Sequence, residues 1–257
     1  MQKFLLALAF TLILTNQALA WGAKGHRVTG AIAEQHLSEN SQLAVMDILG
    51  AESLAEASTW PDFMRSSPDD FWQNTAGSYH YVTVPKGKTY EQLGAPKQGD
   101  AASALAGFAK TLKDPNANKE EKELALRFTI HIIGDLHQPL HVGNGTDRGG
   151  NRFNVKFFNR DSNLHSVWDS GLINREELSF SELTLWLNKK ITPEQLATWQ
   201  QIDPMVWIAE SARIRDSIYP SDPNISWEYR FTHTHTIHTR LTQAGIRIAA
   251  YLNDLYQ

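Results

Sequence analysis

The sequence contains no cysteine, so disulfide bonds cannot stabilise its fold. Its 257 residues are enough for one domain with a sizeable core, and less readily for two small domains. Stability must therefore come from the burial of apolar side chains and from the noncovalent bonds of polar ones.

An excess of positive charge is also missing. The chain has 28 acidic residues against 24 lysines and arginines, which gives a net charge of −4. A charge of this sign does not attract phosphate groups by itself. Many secreted proteins are mildly acidic, so the charge alone selects no function.

Long apolar runs are scarce, and the main one lies close to the first residue. It extends from Phe4 to Leu14, about half of the roughly 20 residues that a membrane-spanning helix needs. Lys3 precedes it and Ala18–Ala20 follows it, a pattern typical of a signal peptide with its cleavage site. We therefore expect residues 1–20 to be removed, no membrane anchor, and a secreted or periplasmic protein that begins at Trp21.

Helical spacing and helix-forming residues dominate the remaining sequence. Start signals include Ser41, Asp100 and Thr192–Pro193. The predicted helices cover, approximately, residues 24–37, 41–57, 98–113, 120–138, 179–189, 193–217 and 226–254. No repeat, low-complexity tract or linker divides the chain, which predicts a single domain over residues 21–257.

Residues 151–158 alternate in the manner of a strand and are followed by a polar turn, so a short β-hairpin is expected there. The predicted fold is therefore mainly α, a single compact helical domain with a small β-hairpin.

The segment 124–136 is apolar on almost every side, so its helix should be buried. His131 and Asp135 lie four residues apart and share one face of that helix. Pro139 should end the helix, which allows His141 to turn back toward the same centre. An ionised aspartate in such a helix needs a positive partner, and a metal ion would supply it. A buried ion pair with structural histidines remains the alternative.

A second His–Asp pair with the same spacing, His165 and Asp169, makes a purely structural explanation less satisfactory. Asp62 and His80 add a carboxylate and an imidazole among aromatic residues. If the leader is removed, the free amine and the carbonyl of Trp21 could chelate a metal close to His26. Nitrogen and oxygen ligands of this kind suit zinc, in numbers sufficient for more than one ion.

These residues resemble those of the zinc-dependent single-strand-specific nucleases, also called class I nucleases, which are related to the zinc-dependent phospholipases C. The similarity runs through the mature chain to about Asp169. Its carriers are Trp21–Gly22 with His26, Trp60–Asp62, His80–Tyr81, the His131, Asp135 and His141 run, Arg148–Asn151, and Asn163–Asp169.

The resemblance implies three zinc ions and assigns a ligand set to each. The first set is Asp62, His80, His131 and Asp135. The second is the Trp21 amine and carbonyl, His26, and Asp135 as a bridge. The third is His141, His165 and Asp169.

The implied reaction is phosphodiester hydrolysis of single-stranded RNA and DNA, with 5′-phosphate products, 3′-nucleotidase activity and nucleotides as further substrates. A hydroxide held between two zinc ions would attack phosphorus in line, with Asp62 and Asp135 holding those ions. Arg65 resembles the family's arginine that stabilises charge on phosphorus.

Substrate contacts follow from the same resemblance. Tyr81 resembles the aromatic residue that stacks on a nucleobase, which favours unpaired bases. Phe63 and Asn151 are further candidate contacts of the substrate. Thr83 stands where the fungal enzymes have a carboxylate near this aromatic residue, so the resemblance implies the hydrolysis but does not give the base preference.

Two alternatives use the same ligands. A zinc-dependent phospholipase C would act on phospholipid head groups, but the short interval from Trp21 to His26 and the Asp rather than Glu at position 169 argue against it. A non-catalytic zinc-binding protein would need neither Arg65 nor an open metal position. No obligate protein partner is evident from the sequence.

Overall fold

The computed structural model describes residues 21–257, and the expected signal peptide lies outside the described residues. Within that range the chain is mostly helical, with five short strands. The α-helices are α1 (Ala23–Glu34), α2 (Glu39–Leu49), α3 (Leu54–Ala57), α4 (Trp60–Met64), α5 (Tyr90–Leu93), α6 (Ala101–Lys113), α7 (Lys119–Leu136), α8 (Leu164–Ser166), α9 (Leu172–Asn174), α10 (Phe180–Asn188), α11 (Pro193–Trp199), α12 (Pro204–Arg215) and α13 (Trp227–Leu255).

The strands form two small sheets. Strand β1 (Val82–Thr83) pairs in parallel with β2 (Val142–Gly143). Strands β3 (Asn154–Phe157) and β4 (Arg160–Asn163) form an antiparallel hairpin, and β5 (Asn224–Ile225) adds to β3 in parallel. The prediction of a mainly α fold with a short hairpin is confirmed.

The hairpin turns through two residues in left-handed backbone conformations, Phe158 with φ 50° and Asn159 with φ 61°. This is the geometry that matches the twist of a two-residue hairpin. The register pairs Asn154 with Asn163. Because Asn163 also caps α8, the hairpin leads directly into the helix that carries His165.

The prediction of one continuous helix over 41–57 is wrong, because the structure has two helices there, α2 and α3. Gly50, with φ 64°, ends α2 in a conformation that other residues rarely adopt. The chain then begins α3 with a capping box between Ser53 and Glu56. The start signal is Ser38 rather than Ser41, since the Ser38 hydroxyl accepts a hydrogen bond from the backbone of Ser41.

The predicted helix over 193–217 is also two helices. Pro204 has no N–H to continue α11, and it occupies the first position of α12, where none is required. Asp203 caps α12 by accepting a hydrogen bond from the Met205 N–H at 2.9 Å. Helix α4 and the single turn of 3₁₀-helix at Ala76–His80 were not predicted, because elements of five residues show no periodicity.

Helix α7 lies in the interior, as its apolar sequence predicts. Every residue from Phe128 to Leu136 is buried. Two clusters of buried apolar side chains fill the space around it and toward α13. Among residues 21–257, no helix combines the length and hydropathy needed to cross a membrane.

Helices α1 and α13 pack so closely that glycine is required at the contact. A Cβ atom on Gly245 would lie 2.5 Å from Cβ of Ile32 and 3.0 Å from the carbonyl oxygen of Thr29. Neither atom can move without moving the α1 backbone. The close approach brings α13 against the helix that carries His26.

Replacing Gly245 by alanine should lower the free energy of unfolding by about 1–3 kcal/mol, because the added methyl group overpacks this contact. Gly107→Ala is the matched control: it is also helical, but a Cβ there has no atom within 4 Å. The control should be neutral or stabilising by up to about 1 kcal/mol. Urea unfolding followed by circular dichroism measures both, and equal effects of the two variants would contradict the packing argument.

Candidate metal centre

The centre begins on the buried face of α7, where His131 and Asp135 lie one turn apart. The His131 Nε2 is 3.1 Å from Asp135 Oδ2. The opposite ring nitrogen, Nδ1, donates to the carbonyl oxygen of Ser58 at 2.6 Å. This bond leaves Nε2 unprotonated in the neutral ring and directs its lone pair toward Asp135.

Two further ligands approach this pair from short elements beside α7. His80, at the end of the 3₁₀ turn, places Nδ1 3.2 Å from Asp135 Oδ2 and 2.8 Å from His131 Nε2. Asp62 on α4 places Oδ1 3.9 Å from His80 Nδ1 and 4.0 Å from His131 Nε2. Four potential ligand atoms thus surround one small volume.

Asp135 also faces a second group of atoms. His26 Nε2 lies 3.2 Å from Asp135 Oδ1, the oxygen that is turned away from His131 and His80. The His26 ring stacks on the His131 ring with centroids 4.0 Å apart. The room for His26 depends on Gly134, where a Cβ would lie 3.1 Å from His26 Nδ1. One carboxylate therefore lies between two neighbouring positions, the geometry of a bridging ligand.

Trp21, five residues before His26, is fully buried. The next residue, Gly22, donates its N–H to the carbonyl oxygen of Asp169 at 2.8 Å. A Cβ on Gly25 would lie 2.9 Å from Cβ of Trp21, so the first turn of α1 is folded tightly over the tryptophan. Trp21 and Gly22 thus lie against the short π-helix, Val167–Gly171, that carries Asp169.

A separate group comprises His141, His165 and Asp169. His165 Nε2 is 3.1 Å from Asp169 Oδ2, and His141 Nε2 is 4.0 Å from Asp169 Oδ1. Each imidazole is oriented by its Nδ1, which donates to a backbone carbonyl at 2.6 Å: Gly149 for His165 and His80 for His141. The His141 bond connects this group directly to the first one.

The loop under His165 requires glycine. Gly149 has φ 61°, and a Cβ on it would lie 2.3 Å from the carbonyl oxygen of Leu140. Any side chain at this position would displace the carbonyl that orients His165.

The donor atoms fit divalent zinc. Three groups each have their ligand atoms within 4.8 Å of one another, and the first two share His131: His26, Asp62 and His131; His80, His131 and Asp135; His141, His165 and Asp169. Within residues 21–257, buried atoms that lack a hydrogen-bond partner include His26 Nε2, Asp62 Oδ1 and Asp135 Oδ1. Buried polar atoms without partners are costly, and a bound cation would satisfy them. Tetrahedral sets of imidazole and carboxylate are typical of zinc.

Burial shifts the pKa values of these groups away from their ordinary ranges. It raises the pKa of Asp135 to about 7, although His131 opposes the change. Burial likewise raises the pKa of Asp169 to about 6. The pKa values of His26 and His80 lie well below 6.5, because the rings are buried and close to other imidazoles. Burial alone would lower the pKa of His131, but Asp135 and Asp62 raise it to about 9. A divalent cation would allow all of them to remain deprotonated together.

The open side of the centre is a cavity of about 620 Å³, lined among others by Arg65, Tyr81 and Asn151. Arg65 Nη1 lies 3.5 Å from Asp62 Oδ1, which places a cation beside the first group. Tyr81 is half exposed, and Asn151 donates a hydrogen bond to the carbonyl of Arg148 at 2.8 Å. Phe63 is 73% exposed on α4 and is not among the residues that line the cavity.

Gln138 is a residue that the sequence did not single out. It is fully buried, donates from Nε2 to Asp169 Oδ1, and accepts the N–H of Leu140. It therefore connects the carboxylate of the third group with the turn that carries His141. Its partner is 31 residues away along the chain, so no local pattern could have revealed the contact.

Comparison with known proteins gives the same family as the motifs. The S1/P1 nuclease family matches residues 21–257. Endonuclease 2 of Arabidopsis thaliana is 28% identical over 92% of this chain and 90% of its own length. Nuclease S1 of Aspergillus oryzae is 26% identical over 98% of both chains, and nuclease P1 of Penicillium citrinum is 32% identical over 58% of this chain and 57% of its own.

Among solved structures, the alpha toxin of Clostridium absonum is similar with a TM-score of 0.47 and 17% identity over 94% of this chain. The chain covers 66% of that toxin's length, slightly under two thirds. The match of the family over residues 21–257 confirms the resemblance drawn from the motifs, and the chain belongs to the S1/P1 nuclease family.

Proposed function

We propose that the protein is a secreted zinc-dependent endonuclease that hydrolyses single-stranded RNA and DNA to 5′-phosphate products and also acts as a 3′-nucleotidase. The observation that supports the proposal is the presence of three His/Asp groups close to a cavity that His80, His141 and His165 line together with Arg65 and Tyr81. The active unit would be the single domain 21–257, released by cleavage after Ala20 and acting in the periplasm or outside the cell.

In this proposal three zinc ions have the ligand sets that the family resemblance implies. Asp62, His80, His131 and Asp135 hold one, and His26 with Asp135 and the terminal amine and carbonyl of Trp21 hold its neighbour. His141, His165 and Asp169 hold the third. Zinc in these positions would supply Lewis acidity and lower the pKa of water.

The protein's own groups act by position and charge. Arg65 can donate hydrogen bonds to the phosphate oxygens whose negative charge increases in the transition state. Its position 3.5 Å from Asp62 aligns the guanidinium with the first group of ligands. The carboxylates Asp62 and Asp135 would act as ligands from α4 and from the buried face of α7.

Selection for single strands would come from the exposed aromatic surface of the cavity. Tyr81 can stack on a base only when that base is not already stacked within a duplex. Asn151 lines the same cavity, two residues after the Gly149 carbonyl that accepts the His165 Nδ1 hydrogen, so it is a candidate contact of a phosphate bound at the centre. Phe63 lies outside the lining, so its contact would be with a more distant nucleotide.

The proposal is tested by comparing hydrolysis of one oligonucleotide as a single strand and as a duplex by zinc-loaded protein beginning at Trp21. Only the single strand should be cut rapidly, EDTA should abolish the cutting, and the products should carry 5′-phosphates. Arg65→Ala should lower kcat by about 10²–10³. Arg160→Ala, an exposed arginine on β4, is the control and should have no effect. Turnover of phosphatidylcholine without EDTA-sensitive cutting of the oligonucleotide would contradict the proposal.

Zinc should stabilise the metal-free protein more at pH 7.5 than at pH 5.5. The pKa values of Asp135 and Asp169, raised to about 7 and about 6, mean that protons occupy these oxygens as the pH falls and compete with zinc. At a zinc concentration of 100 times Kd, the stabilisation should be about 2.7 kcal/mol. Differential scanning fluorimetry measures the rise in Tm, and an equal rise at both pH values would contradict this coupling.

Two matched histidine variants test whether His165 binds zinc. His165→Ala should reduce the bound zinc measured by mass spectrometry, whereas His36→Ala should not, because His36 is bonded to Asn188 and belongs to none of the three groups. Equal zinc content in the two variants would exclude His165 as a ligand.

Export would activate the enzyme if the amine of Trp21 is a ligand. A protein that keeps one extra methionine before Trp21 should bind less zinc and lose activity, since an amide nitrogen cannot replace a free amine. The control is the same extended protein after the extra methionine has been removed enzymatically. This control should recover both zinc binding and activity. Unchanged zinc content and activity in the extended protein would exclude the terminal amine as a ligand.

A further inference from the structure

Besides Arg65, two arginines line the cavity without contacting the proposed ligands. These are Arg148 and Arg152, which flank the turn that holds Asn151. Among the described residues, 21–257, no carboxylate lines the cavity wall. In a chain of net charge −4, the surface open to substrate is thus cationic at this side.

Neither guanidinium is used within the fold. Across residues 21–257, the side chains of Arg148 and Arg152 form no ion pair and no hydrogen bond, and both are exposed. Arg65, in contrast, lies beside Asp62. Arg127, an arginine outside the cavity that is only 16% exposed, pairs with Glu52 at 2.6 Å.

Asp147, the acidic residue next to Arg148 in the sequence, binds other groups. Asp147 accepts the N–H of Gly150 at 2.9 Å with one oxygen and the hydroxyl of Tyr219 at 2.7 Å with the other. It also fixes the loop, because its carbonyl accepts the N–H of Arg152 at 3.0 Å. The acid shapes the loop and leaves the two cations unneutralised.

The loop is held firmly against the centre. The carbonyl of Gly149 orients His165, and Arg148 itself has φ 58°, a conformation that costs a residue with a side chain about 1 kcal/mol or more. The backbone that carries the two arginines therefore has a defined position beside the third group of ligands.

We infer that Arg148 and Arg152 form a binding subsite for phosphates of the substrate strand that flank the one being hydrolysed. A nucleotide with a single phosphate binds that phosphate at the ligand groups and Arg65, so no phosphate remains to contact Arg148 and Arg152. A strand with several phosphates can contact both sites at once, which makes oligonucleotides the favoured substrate class. The inference rests on the proposed nuclease function.

The test compares two substrates with one difference between them. A dinucleoside monophosphate contains only the scissile phosphate, whereas a single-stranded decanucleotide contains flanking ones. The double variant Arg148→Gln/Arg152→Gln should lose roughly 10-fold or more in kcat/KM on the decanucleotide, mostly through KM. On the dinucleoside monophosphate the change should be less than about twofold.

Salt dependence supplies a second readout. Each lost phosphate contact on a single strand should reduce the slope of log kcat/KM against log salt by about 0.7, so the double variant should lose about 1.4. The control is Arg160→Gln/Arg213→Gln, which removes the same charge from exposed arginines outside the cavity lining. The control should leave KM and slope close to those of the wild type.

Three results would overturn the subsite: no change on the decanucleotide, equal losses on both substrates, or equal losses in the control. If the wild type hydrolyses neither substrate, the proposed function fails, and the subsite is then judged by binding alone. In that case fluorescence anisotropy of a labelled decanucleotide in EDTA should show at least about threefold weaker binding to the cavity variant than to the control. Equal binding would overturn the subsite independently of any activity.

Discussion

The fold is organised around a carboxylate in the interior of an apolar helix. Asp135 is fully buried on α7, with buried isoleucines, a leucine and a glycine as its neighbours in the helix. Removing an ionised carboxylate from water costs several kcal/mol even after the surroundings relax. The raised pKa of about 7 reflects that cost. Imidazoles from α1, α7 and the 3₁₀ turn lie against both oxygens of Asp135. Three separate elements therefore pack around this one carboxylate.

The end of α7 is anchored by charge of the opposite sign. Arg240 donates to the carbonyl of His137 at 3.1 Å and to the hydroxyl of Ser211, which in turn donates to the carbonyl of Leu136. Burial lowers the pKa of Arg240 to about 10, so it remains protonated at neutral pH. Arg247 adds a bond to His137 at 3.0 Å. Cations at a helix C-terminus interact favourably with its dipole, so the last turn of α7, which holds Asp135, is fixed by these bonds from α12 and α13.

The sequence predicted those features that repeat or that lie within one turn of a helix. The buried character of α7, the shared face of His131 and Asp135, and the hairpin near residues 154–163 follow from local spacing. What it could not predict were contacts between distant segments. Gln138 contacts Asp169 only because α7 ends beside the π-helix Val167–Gly171. The break at Gly50 depends on a single left-handed residue inside an otherwise helical pattern. Phe63, assigned to the substrate by resemblance, lies outside the cavity lining because α4 presents it to solvent.

The distribution of charge explains how an acidic chain can bind a polyanion. The carboxylates of the centre lie beneath the cavity surface, where Asp135 and Asp169 are buried and Asp62 is largely covered. The groups that line the cavity include three arginines, Arg65, Arg148 and Arg152, and the imidazoles of His80, His141 and His165. Without cations, the carboxylates below would repel a phosphate across a medium of low dielectric constant. Cations held by the buried acids would reverse that field, while the arginines at the surface would attract the strand from solution. The net charge of the chain therefore says little about its ligand, because these carboxylates lie beneath the cavity surface whereas the arginines lie on it.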